Sequence, residues 1–201
     1  MLTDLPNLLT LSRIVAIPLL VVLVALGEPA ADLAACILFS SAAVTDYFDG
    51  KVARTRRLQS DLGRMLDPIA DKLLVGAALM MLVGQGRLSG WGLYPAIVIM
   101  LREILVSGLR EYLAAIRIGL PVTPLAKWKT GFQMGALGTL LAGDSTALWL
   151  HLSFVPVTTI GEAMLWVAAA LTLWTGWDCL TAGVRHASAP PAASLTERQT
   201  P

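Results

Sequence analysis

The chain has 201 residues, 56% of them hydrophobic and only 14% charged, with a mean hydropathy of +0.69. Apolar blocks of this length exclude a soluble globular domain and place the chain among polytopic membrane proteins. The net charge of +1 says nothing about partners, because distribution rather than sum sets the field; Cys36 and Cys179 lie inside apolar segments, which argues against a disulfide framework.

Residues 1–4 form a stub. Leu5–Leu26, LPNLLTLSRIVAIPLLVVLVAL, has roughly the twenty residues needed to cross a bilayer. It is too long for a signal peptide and lacks a small-residue cleavage site, so it is expected to be retained. Pro6 suits a first helical turn. Asn7, Thr10 and Arg13 follow at near-helical spacing, as a cap, a hydroxyl and a cytoplasmic anchor on one face. Gly27, Glu28 and Pro29 break the helix, and a second span is expected over 31–53 with Asp46 and Asp49 near its far end. The polar link 55–62 turns the chain back into a third span that ends near Gly84. Pro68 either kinks the first turns of that span or marks its start, with Asp67 as N-cap.

A short turn, 85–90, leads to a fourth span over 91–116. Its Arg102, Glu103, Arg110 and Glu111 are costly in lipid and belong in the bundle interior or at the water boundary. The fifth span, 124–141, carries Gly131, Gly135 and Gly138, which permit close helix packing. A polar loop around Asp144 and an apolar patch, 148–155, precede the sixth span over 157–184. From His186 the prolines, alanines and hydroxyls read as disordered. The expected fold is all-α: six transmembrane helices forming one membrane domain over 1–186, then a disordered cytoplasmic tail over 187–201. Six spans put the N-terminus, the links 54–62 and 117–126 and the tail on one side. All fifteen basic residues except Arg87 and Arg102 group there, so both termini are expected to face the cytoplasm.

The densest chemistry lies in residues 46–72, DYFDGKVARTRRLQSDLGRMLDPIADK. At about 100° per residue, Asp46, Asp49, Gly50 and Ala53 share one helical side, and Gly63, Asp67 and Asp71 share another. Two helix ends meeting here would bring four carboxylates together, with small residues leaving room for a ligand. Such a cluster repels itself unless a hard divalent cation sits between the oxygens. Four Asp shared between two ions would suit an in-line displacement at phosphorus. The plainer alternative is a solvated, charge-mixed loop. It accounts for Arg56, Arg57 and Asp61, and not for Asp46 and Asp71 toward the apolar sides.

The pattern Asp46-x2-Asp49-Gly50-x2-Ala53-Arg54-x8-Gly63-x3-Asp67-x3-Asp71 resembles, without a substitution, the signature of the CDP-alcohol phosphotransferases, integral membrane enzymes of phospholipid synthesis. The PNLLTLSR stretch, the MLREILVSGLREYL block and Lys127-Trp128-Lys129-Thr130 resemble the branch that uses sn-glycerol 3-phosphate. The resemblance implies transfer of a phosphatidyl group from CDP-diacylglycerol to that acceptor, with release of CMP. It implies Asp46, Asp49 and Asp67 as ligands of Mg²⁺ or Mn²⁺, two ions in all, with Asp71 completing the second site or acting as base. Gly50, Ala53 and Gly63 would let the nucleotide approach the backbone, and Arg54 would hold a donor phosphate. Asn7 and Thr10 become candidates for a substrate-phosphate contact, beside their reading as cap and hydroxyl.

The acceptor phosphate carries nearly two negative charges and needs cations of its own. Arg110, Lys127 and Lys129 can reach the level of the four Asp. Arg102 is about 12 Å deeper along its helix and is expected to pair with an acid other than Glu103, its neighbour in sequence. Lys127 and Lys129 also fit as plain span-end anchors. Sibling acceptors (inositol phosphate, serine, phosphatidylglycerol) remain alternatives, although serine would not need these cations. A cation transporter is the remote one, opposed by acids that gather at a single membrane face. Expected partners are the two substrates and membrane lipid, with a homodimer open and no nucleic acid; the expected location is the bacterial inner membrane.

Overall fold

Helices α1 (Leu5–Leu26), α2 (Pro29–Arg56), α3 (Asp61–Gly84), α4 (Leu93–Ala115), α5 (Pro124–Trp149) and α6 (Val157–Ala187) run along the chain, and no strand occurs among the described residues. The computed structural model describes residues 5–56, 61–115, 124–152 and 154–187. The side chains of 5–9, 46–56, 61–65, 67, 115, 124, 126, 182 and 185–187 lie outside that description. The expected tail falls outside it too, apart from Ala187, which closes α6.

The helix boundaries have local causes. α1 stops where Gly27 takes φ 68°, a left-handed conformation that glycine adopts without a Cβ clash, and Pro29 opens α2. α3 ends in a 6→1 bond from the Arg87 amide to Leu82 O (2.9 Å), with Gly86 at φ 64°. Pro68 lies inside α3, so the helix starts upstream of it, at Asp61. The loop expected around Asp144 needs correcting. α5 breaks at Gly143 (φ 67°, ψ 173°) and resumes as a helical segment reaching Trp149. Thr146 Oγ1 ties that segment to α2 by donating to Pro29 O (3.2 Å). Asp144 caps the next helix, accepting from the Thr158 amide at 3.0 Å. That bond, with the Thr158 hydroxyl, holds the Asp144 carboxyl below the usual carboxylate range.

Each helix contributes to one apolar core: Leu20, Phe39, Leu74, Ile99, Leu137 and Leu165 are all fully buried. α5 packs most extensively on α6; α1 packs on α2 and α3, α2 on α5, and α4 on α6. α3 meets α4 and α5 only sparsely. Glycine sets the α5–α6 approach. A Cβ on Gly161 would lie 2.7 Å from Leu140 Cγ and 2.8 Å from Thr139 Oγ1, and one on Gly135 would lie 2.6 Å from Met164 Cε. At Gly138 a Cβ would lie 3.4 Å from Ser40 Oγ, close to ordinary contact, and Gly131 faces open space. Gly161→Val should therefore force this pair apart. The expected loss is about 1–3 kcal/mol, read as a lowered thermal midpoint in detergent. An unchanged midpoint would show that the α5–α6 contact yields easily.

Large apolar side chains are exposed on every helix. Val15, Ile37, Leu73, Leu101, Leu148 and Trp174, one from each helix in turn, are all more than half exposed. Such exposure on every element suits contact with lipid. Val157–Thr181 is long and apolar enough to cross a membrane, and Thr10–Leu26 and Pro29–Thr45 are shorter apolar stretches. Charged residues such as Asp71 and Lys72 in α3, Arg102 and Glu103 in α4, and Lys129 in α5 interrupt the others.

The bundle has two unlike ends. Where α2 begins, α3 ends and α5 breaks, Arg87 Nη2 donates to Asp32 Oδ1 at 2.6 Å and Nη1 donates to Leu141 O at 3.0 Å. Ser145 Oγ donates to Asp32 Oδ2 at 3.3 Å, and Asp32 is 1% exposed. Nearby, Glu162 of α6 accepts from the amide and hydroxyl of Ser89, pinning the α3–α4 turn. Every polar group named here has its partner, so this end is a fastener.

Candidate functional site

The sparse contact of α3 with α4 and α5 leaves a cavity of about 470 Å³ between them. Its size is in the usual range for small-molecule sites. α3 lines it with Pro68, Asp71, Lys72 and Val75; α4 with a strip that includes Arg102, Glu103, Arg110 and Glu111; α5 with Lys129, Thr130, Gln133 and Met134. Charged residues of three helices thus converge on a hollow inside a largely apolar bundle, where an ionisable group is expensive and marks function.

Asp71 is the signature carboxylate whose side chain is described. Arg13 Nη1 donates to its Oδ1 at 3.0 Å. Arg13 is 3% exposed and comes from the first half of α1, so the PNLLTLSR stretch meets the signature directly. Asp71 itself is part-exposed toward the cavity. Thr10, one turn before Arg13, is buried. Asp46, Asp49, Gly50, Ala53 and Arg54 lie in the last turns of α2, and Gly63 and Asp67 in the first turns of α3. The side chains of these residues and of Asn7 lie outside the described ones. Their i, i+3 and i, i+4 spacings now rest on continuous helix, which places each carboxylate pair on one helical face. Among the described residues no group of three or more His, Cys, Asp or Glu converges.

On the opposite wall, Lys129 Nζ donates to Glu103 Oε1. Arg102 Nη1 lies 3.5 Å from the same oxygen, and its Nη2 donates to Thr175 Oγ1 at 2.9 Å. Glu103 is therefore the acid that Arg102 pairs with, contrary to the expectation of a more distant partner. The cause is Gly176 on α6. A Cβ there would sit 3.2 Å from Arg102 Cγ and Nε, so the bare backbone lets the arginine fold across and its head turn back toward its neighbour. Two carboxylates, Glu103 and Glu111, among Arg102, Lys129 and Arg110 leave this wall with a small surplus of positive charge. Arg110 is exposed and borders the cavity. Lys127 is exposed and does not border it.

Gln133 was not singled out from the sequence. It is 4% exposed, lines the cavity, and its Oε1 has no hydrogen-bond partner. A lone amide in the apolar run after Lys129 was the available signal.

An all-helical bundle with an apolar exterior, a charged cavity and this aspartate spacing defines a class. The chain belongs to the CDP-alcohol phosphatidyltransferase family, which it matches over residues 3–174. It is 43% identical to the CDP-diacylglycerol–glycerol-3-phosphate 3-phosphatidyltransferase of Rickettsia bellii, over 87% of this chain and 92% of the relative. It is 39% identical to the protein of the same name from Cereibacter sphaeroides (87% and 93% covered) and 40% identical to that from Shigella flexneri (89% and 94%).

Proposed function

We propose that this chain transfers the phosphatidyl group of CDP-diacylglycerol to sn-glycerol 3-phosphate, giving phosphatidylglycerol phosphate and CMP. One observation carries the reading: a single cavity is bordered by signature Asp71 on one wall and by Arg110 and Lys129 on the other. Its cations suit a phosphorylated acceptor better than serine, and the names of the relatives support the choice.

The chain's own groups divide the work. Arg110 and Lys129 hold the acceptor phosphate by charge-assisted hydrogen bonds. Asp71, oriented by Arg13, takes the proton from the attacking hydroxyl. The hydroxyl oxygen forms a bond to the lipid-bearing phosphorus while the bond from that phosphorus to CMP breaks, and CMP leaves. Arg54 holds a donor phosphate, Gly50, Ala53 and Gly63 leave space for the nucleotide, and Asn7 and Thr10 remain candidates for a substrate-phosphate contact. The oxygen donors of Asp46, Asp49, Asp67 and Asp71 suit two Mg²⁺ or Mn²⁺ ions, which when bound neutralise the donor pyrophosphate. Lys127, off the cavity, anchors the span end.

All six helices span a bacterial inner membrane in this reading, with charged side chains turned inward and both termini in the cytoplasm. The distribution of basic residues supports that orientation. The test uses purified chain in detergent with CDP-diacylglycerol, following CMP release. Arg110→Ala or Lys129→Ala should raise the Michaelis constant for glycerol 3-phosphate roughly tenfold or more, because a charged hydrogen bond is lost from one substrate alone. Equal movement of both substrates' constants, or of neither, would place the acceptor elsewhere.

A further inference from the structure

The cations and Asp71 account for the acceptor's phosphate and its reacting hydroxyl. They leave two buried polar atoms of cavity-lining residues without a partner, Arg102 Nε and Gln133 Oε1, of which only the second is an acceptor. Gln133 Oε1 is sealed from water and has no hydrogen-bond partner. Buried amides keep such an oxygen unpaired only at a cost in stability. Nearby positions on α5 show what packing alone selects: Ala136, Leu137 and Leu140. An amide oxygen accepts hydrogen bonds and repels phosphate oxygens, so its complement is a hydroxyl.

Gln133 follows Lys129 by four residues, about 6 Å along the same helical face. In glycerol 3-phosphate the middle hydroxyl is on the carbon next to the one bearing the phosphate, a separation of the same order. We infer that Gln133 turns its carboxamide about the last side-chain bond to bring Oε1 to the cavity face, accepts a hydrogen bond there from this middle, non-reacting hydroxyl, and is a specificity-determining residue. The inference rests on the cavity being the acceptor site. It gives the acceptor three points of attachment: phosphate at Arg110 and Lys129, middle hydroxyl at Gln133, reacting hydroxyl at Asp71. Three points on three different groups distinguish mirror images. Gln133 therefore also selects the sn-3 phosphate over its enantiomer.

The test compares sn-glycerol 3-phosphate with 3-hydroxypropyl phosphate, which lacks only the middle hydroxyl, and with sn-glycerol 1-phosphate. Unmodified enzyme should prefer sn-glycerol 3-phosphate by about 10- to 100-fold in kcat/KM over each. Gln133→Met keeps the volume and removes the acceptor oxygen. It should lower kcat/KM for sn-glycerol 3-phosphate by a similar factor, leave 3-hydroxypropyl phosphate unchanged, and bring both preferences close to one. Gln133→Glu retains an acceptor oxygen and should retain the preferences even if every rate falls. All acceptors are assayed on one preparation, so loss of folded enzyme cancels in the ratios. Preferences that persist in Gln133→Met, or that the unmodified enzyme lacks, overturn the assignment. Unmodified enzyme that ignores glycerol 3-phosphate and uses another alcohol overturns the acceptor reading itself, and this inference with it.

Discussion

Asp46→Asn, Asp49→Asn and Asp67→Asn are each expected to cut CMP release by at least about 10²–10³-fold, the loss typical of removing one preorganised electrostatic group from a transition-state site. Each change keeps shape and removes one charge from the proposed ligand set, in the last turns of α2 or the first turns of α3. Folding and membrane insertion should survive. Asp71→Asn should lower the rate comparably with a smaller effect on CDP-diacylglycerol binding, since in the proposed site three acids and Arg54 would still hold the donor. It also removes the charge that Arg13 contacts, so Arg13→Gln should reproduce part of the defect. Turnover that continues after EDTA treatment would remove the metal from this account. Equal loss of donor binding in all four Asn variants would make Asp71 an ordinary ligand.

The second large effect concerns the opposite end of the bundle and stability alone. Asp32→Ala should cost about 3–5 kcal/mol, because it strands the Arg87 guanidinium in a largely buried site. The paired change Asp32→Leu with Arg87→Met should recover most of that loss, since it leaves no charge behind. Thermal midpoints in detergent would measure both, and CMP release below the transition should stay near that of the unmodified chain. A paired variant as unstable as the sum of its single changes would mean that packing, rather than an abandoned charge, sets the cost.

Much of this was legible along the chain because it is local. Helix ends at Leu26, Gly84 and Val157 follow from glycine and proline, and the aspartate pattern is a matter of spacing within single helices. What crosses between helices was not legible. The Arg87–Asp32 and Arg13–Asp71 pairs join residues more than fifty positions apart, and nothing in periodicity selects those partners. Arg102 was misjudged because the feature that bends it back, Gly176, lies on another helix. The helical segment after Gly143 was missed because Asp144 and Ser145 read as loop chemistry, whereas both side chains bond to other helices' ends. Gln133 was passed over among apolar neighbours, since only the cavity beside it reveals an unused acceptor.

The light packing of α3 against α4 and α5 has a consequence for how the protein breathes. Free energy of local opening follows the density of buried contacts, and the seam beside α3 is thinner than the α5–α6 pair. Spontaneous opening is therefore expected first at the seam that the proposed acceptor would enter, ahead of the fastened far end and the α5–α6 pair. In the proposed function, a substrate lodged in the seam bridges α3 to walls that it otherwise meets only sparsely. Loading the site and tightening the bundle become one event, so the empty enzyme is the loosest form of the molecule.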